Sequence, residues 1–126
     1  MKRIPGWTLP IVALGLALAA PKAVSAQAAA PAAADVTAGK ALFHAAALCS
    51  NCHGQNGEGS GIAPNLADKT WLHSDGSLAA IEKQITDGVP APKESMIPML
   101  PKGGSGITAA QVKEVSAYVW SLSNPG

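Results

Sequence analysis

The only two cysteines of the 126-residue chain stand two residues apart, and a histidine follows the second: Cys49-Ser50-Asn51-Cys52-His53. Whatever this chain folds into must present those three side chains together. Three chemistries use such a cluster: a redox dithiol, part of a zinc site, or covalent attachment of a haem. A zinc site needs about four protein ligands, and no second cysteine pair exists to complete it; only His44 or His73 could be added. A thioredoxin-like pair needs a strand before it and a helix start that stabilises the thiolate. Here the pair follows a helical pattern and precedes the glycine-rich "GQNGEGSG". Haem attachment uses every residue present. Each thiol can add to one vinyl group, and the adjacent histidine can bind iron from one face of the ring. That reading assigns one covalently bound haem c to Cys49 and Cys52, with His53 as an axial ligand.

The chain's start agrees. Lys2 and Arg3 precede an apolar run from Ile11 to Ala20, and small residues follow as far as Val24-Ser25-Ala26. This is the pattern of a secretory signal, expected over residues 1–26. The apolar run of ten residues falls short of the roughly twenty that cross a bilayer core, so no stable membrane insertion is expected once the signal is cut. A cut after Ala26 leaves 100 residues and removes three of the nine basic residues. Six lysines then face eight acids, a balance of −2, with no basic patch for nucleic acid. The location implied is the periplasm. Residues 27–34, "QAAAPAAA", read as a flexible Ala/Pro segment, with the folded domain spanning 35–126.

That domain is short of core material. Its aromatic residues are Phe43, Trp71, Tyr118 and Trp120, and glycines and prolines crowd residues 54–64 and 88–106. A small scaffold of this kind needs a staple or a large apolar cofactor to complete its interior. The elements it does encode are helical. Asp35 or Thr37 can cap a first helix through Gly39, Leu42, Phe43 and Ala46, ending near Leu48. Ser77 caps a second, with Leu78, Ile81 and Ile85 on one face and Gly88 at its end. Thr108 and Gln111 form a capping box ahead of Val112, Val115, Val119 and Leu122. No segment alternates with period two. The expected fold is all-α, about three main helices packed round one haem, with long loops.

A six-coordinate haem needs a second axial ligand, and methionine is the usual one in an electron carrier. "KESMIPML" offers Met96 and Met99, 43 and 46 residues after His53. His73 and His44 are rivals, His44 as an exposed helix residue.

Taken together, these residues resemble the class I c-type cytochromes. "AGKALFHAAALCSNCHGQNGEGSGIAPNL" is similar to that family's first helix, haem motif and following loop; "SLAAIEKQITDGVPAPKESMIP" to its middle helix and methionine loop; "QVKEVSAYVWSLS" to its last helix. The pattern "GVP…MIP" is similar to small periplasmic cytochromes and to cytochrome subunits of cbb-type oxidases. The resemblance implies thioether bonds from Cys49 and Cys52, His53 as proximal ligand, and the Pro64 carbonyl fixing the His53 ring. It further implies Trp71 lining the haem near a propionate, and Gly39 and Phe43 meeting the last helix near Tyr118. It favours Met96 over Met99, because the family's ligand comes first, before "I-P". "LPKGGSGIT" departs from the family in being longer. The implied function is a monomeric electron carrier, not itself an enzyme, cycling Fe(II) and Fe(III). Its partners would be a dehydrogenase, a quinol-oxidising complex or a terminal oxidase. The alternatives are a fixed cytochrome subunit of a larger oxidoreductase and a five-coordinate haem enzyme that binds small ligands.

Overall fold

A computed structural model describes residues 29–126. The signal expected over 1–26 lies outside them. Four α-helices are present: α1 (Ala33–His44), α2 (Ser50–His53), α3 (Leu78–Asp87) and α4 (Ala109–Ser123). A tight turn covers Pro101–Gly104, with Lys102 and Gly103 in the left-handed region at φ 55° and 65°. Among the described residues there is no strand, only an isolated antiparallel bridge between Val89 and Met99. The fold is all-α, as the patterning requires. No helix among the described residues is long and apolar enough to cross a membrane.

The sequence signals for α3 and α4 are realised directly. Ser77 Oγ accepts the Ala80 N–H, and Gly88 closes α3 at φ 73° with its N–H on the Gln84 carbonyl. Thr108 and Gln111 bond each other's backbone N–H groups in a full capping box. The start of α1 differs from expectation. It begins at Ala33, inside the segment read as flexible, without a side-chain cap, and Asp35 sits in its first turn. Alanine is the best helix former, so Ala33 and Ala34 extend the helix backwards, and Asp35 favours that end through the helix dipole. α2 had no counterpart in the sequence reading.

α1 and α4 form the main packing pair. Gly39 is buried where they cross, and a methyl group there would overlap the Glu114 carbonyl oxygen and press on Tyr118 Cβ. The Phe43 and Tyr118 rings meet edge to face, 5.2 Å between centroids. α3 adds Ile81 and Ile85, and α4 adds Val112, Val115 and Val119, completing one core with Phe43 and Ile107. The interior is modest, and one side of it opens into a cavity.

Candidate haem-binding site

α1 ends nine residues before His53, and Leu48 takes a left-handed conformation, φ 56°. Such a conformation costs a non-glycine residue about 1–2 kcal/mol. It redirects the chain so that α2 begins within the motif, with Cys49 at its N-cap. This single turn brings Cys49, Cys52 and His53 to one wall of a cavity of about 350 Å³. Neither thiol is in a disulfide; Cys49 is partly buried and Cys52 exposed. Burial pushes the Cys49 thiol up to about 11, so it is not the low-pKa thiolate that a thioredoxin-like centre needs.

His53 is buried, with 8 % of its surface exposed. Its Nδ1 lies 2.9 Å from the Pro64 carbonyl oxygen. A carbonyl only accepts, so Nδ1 carries the proton and Nε2 keeps its lone pair. Burial pulls the His53 pKa below its ordinary value, against the weaker opposing pull of Pro64. The ring is thus held neutral, in the tautomer a metal ion needs. The loop from Gly54 to Leu66 that delivers Pro64 is pinned to the motif. Gly59 N–H donates to the His53 carbonyl at 2.7 Å, and Ser60 Oγ to that of Cys52 at 2.6 Å.

The segment from Val89 to Leu100 lines the same cavity. Val89 and Met99 exchange both backbone hydrogen bonds, at 2.8 and 3.1 Å. Ser95 Oγ donates to the Ile62 carbonyl at 2.7 Å, and the Lys93 N–H to His73 Nε2 at 3.2 Å. The two methionines therefore part company. Met99 packs partly buried against the core and borders the cavity together with Cys49, Cys52 and His53. Met96 is 99 % exposed and borders no part of it. Of the two candidates, Met99 is the one beside the cavity, where the Val89 bridge holds its backbone, and Met96 stands at the loop's tip. His73 borders the cavity, but its Nε2 is engaged by the Lys93 N–H. His44 is exposed on α1, as expected.

Deeper in, a space of about 30 Å³ reaches the core between Phe43, Trp71, Ile81, Ile85, Met99 and Val119. Trp71 lies against that inner space, with Gly76 packed on the Nε1 edge of its indole. One further residue escaped the sequence reading. Gln84 borders both spaces, and its Oε1 is buried without a hydrogen-bond partner. Its signal was its place three residues after Ile81, on the flank of the apolar stripe of α3. These residues fit a haem: a largely apolar cavity reaching the core, lined by two thiols, a neutral imidazole and a thioether, with a buried polar atom awaiting a partner.

Comparison with known proteins agrees. Residues 36–123 match the family described as Cytochrome c. The cbb3-type cytochrome c oxidase subunit FixP of Rhizobium etli is 35 % identical over 78 residues, 60 % of this chain and 27 % of that protein. The corresponding subunit CcoP of Rubrivivax gelatinosus is 41 % identical over 85 residues, 68 % of this chain and 25 % of that protein. The chain thus spans about a quarter of the length of these oxidase subunits. Cytochrome c-554(547) of Halothiobacillus neapolitanus is 30 % identical over 93 residues, which cover 70 % of this chain and 97 % of that protein. The crystal structure of cytochrome cL from Methylophaga aminisulfidivorans superposes with a TM-score of 0.52 at 25 % identity, over 69 % of this chain and 52 % of that one. From the haem motif, the helical frame and these relatives, the chain belongs to the cytochrome c family.

Proposed function

We propose that this chain is an exported electron-transfer protein with a single haem c, held by thioether bonds from Cys49 and Cys52 and by His53 and Met99 as axial ligands. The observation that carries the reading is the His53–Pro64 bond, which leaves Nε2 available in a ring that shares its cavity with Met99. The haem, once bound, supplies the one-electron couple of iron. The protein's own contribution is to bury the ring, keep His53 in one tautomer and hold Met99 in place through the Val89 bridge. No substrate bond is made or broken. Pro64 acts by fixing the His53 ring, and Trp71 by closing the inner end of the slot. Residues 1–26 serve as the export signal, and the destination is the periplasm.

The partners are redox proteins, met as a monomer in brief encounters: a dehydrogenase, a quinol-oxidising complex or a terminal oxidase. The match over 97 % of cytochrome c-554(547) favours a domain that works by itself. The oxidase-subunit relatives favour the second reading, a fixed subunit of a larger oxidoreductase. The proton NMR spectrum of the reduced protein, taken with Met96→Ala and Met99→Ala, tests the ligation. A methionine methyl signal far upfield is expected in the wild type and in Met96→Ala, and is expected to vanish in Met99→Ala. Its absence from the wild type, with ready carbon monoxide binding, would establish the five-coordinate alternative instead. Haem that leaves the protein in acid-acetone would rule out covalent attachment.

A further inference from the structure

Met96 and Met99 carry the same thioether in opposite settings. Met96 is 99 % exposed, while Met99 packs partly buried against the core. A methionine with no buried surface contributes nothing to packing, and its polarizable sulfur stands open to oxidants. Hydrogen bonds keep the two settings apart. Ser95 Oγ donates to the Ile62 carbonyl at 2.7 Å and accepts the Ile97 N–H at 3.0 Å, so both neighbours of Met96 are tied to one hydroxyl. The Lys93 N–H on His73 Nε2 and the paired bonds of Val89 with Met99 hold the rest of the segment. Exchanging the two methionines would break these bonds. Oxidation means different things at the two places. A sulfoxide at Met99 puts a polar group beside the core and replaces the thioether that faces the haem reading above. At Met96 it adds a polar group to a tip already in water.

We propose that Met96 is a sacrificial oxidation site, which takes oxygen from hydrogen peroxide before Met99 does and so preserves the Met99 thioether. The Met96 sulfur attacks one peroxide oxygen and the O–O bond breaks. The second oxygen leaves with the proton of the first, as water, and a sulfoxide remains. Sulfur is oxidised by two electrons and peroxide is reduced by two. Methionine sulfoxide reductases return the thioether, so the site can be used again. The order of reaction follows from exposure and needs no iron; the benefit to the haem rests on the reading of Met99 as ligand.

The test treats the ferric, haem-loaded protein with equimolar hydrogen peroxide, beside Met96→Leu, which keeps the bulk and lacks the sulfur. Both methionines fall in one tryptic peptide, Glu94 to Lys102, in which tandem mass spectrometry locates the added oxygen. The upfield methionine methyl signal is read after reduction, and far-UV circular dichroism checks that the variant is folded. The expected result is oxygen on Met96 alone in the wild type, with the methyl signal retained. Met96→Leu is expected to lose a larger share of that signal at the same dose. Oxygen on Met99 first, on both alike or on neither overturns the proposal. Oxidation of Met96 with equal loss of the methyl signal in the two proteins overturns it too, because Met96 then reacts but preserves nothing. A wild type without the methyl signal before treatment removes the ligation reading, and the order of oxidation in the peptide then decides the Met96 site by itself.

Discussion

Nε2 of His73 is the nitrogen that would have made it a rival axial ligand, and it is occupied. It accepts the Lys93 N–H across 20 residues of sequence, so the ring serves as a clip on the methionine segment. The two roles predict different things. As a clip, His73→Ala removes one neutral hydrogen bond worth roughly 1 kcal/mol, and the Lys93 amide should exchange with solvent about fivefold faster. The visible spectrum of the reduced haem protein should not change. A shifted spectrum, with normal amide protection, would make His73 a ligand after all. The same logic separates the methionines. Their spacing from His53 does not distinguish their surroundings; contacts remote in sequence do, Val89 to Met99 and Ile62 to Ser95, which put Met99 beside the cavity.

The close crossing of α1 and α4 hangs on one missing methyl group. Gly39→Ala would force the helices apart against the Glu114 carbonyl, an overpacking effect of about 1–3 kcal/mol. It should show as a lowered thermal midpoint, with the haem spectrum retained; an unchanged midpoint would mean that the crossing is loose. At this level the sequence was informative where signals were local. Ser77, Gly88, Thr108 and Gln111 mark ends by chemistry that acts within one turn, and each works as marked. α2 is too short, at four residues, to display a period. The start of α1 was misplaced because a capping residue was expected where a run of alanines needed none.

Over the molecule as a whole, the cavity is continuous with the core. The inner space is bounded by Phe43, Ile81, Ile85 and Val119, which also form the hydrophobic interior. A bound apolar ring is then a core component, contributing on the order of 25 cal/mol for each Å² of apolar surface it shields from water. The double substitution Cys49→Ala with Cys52→Ala should therefore do more than abolish covalent attachment. With no haem retained, the thermal transition should broaden and fall well below that of the loaded protein, with near-UV circular dichroism weakened. A sharp transition at the original temperature would show that the polypeptide core suffices. The scarcity of large apolar side chains in the sequence pointed to this dependence, although composition could not say which walls would be left bare.

The paired backbone bonds between Val89 and Met99 also separate where a residue sits from how many residues precede it. They close the stretch 90–98 into a side loop whose two ends are fixed together. Doubling the length of such a loop adds only roughly 0.6 kcal/mol of closure entropy. Insertions or deletions at its tip, around Met96, would leave Met99 where it stands. The exposed tip at Met96 is thus free to vary in surface chemistry, and hence in what it meets outside, while the thioether of Met99 keeps its post beside the cavity.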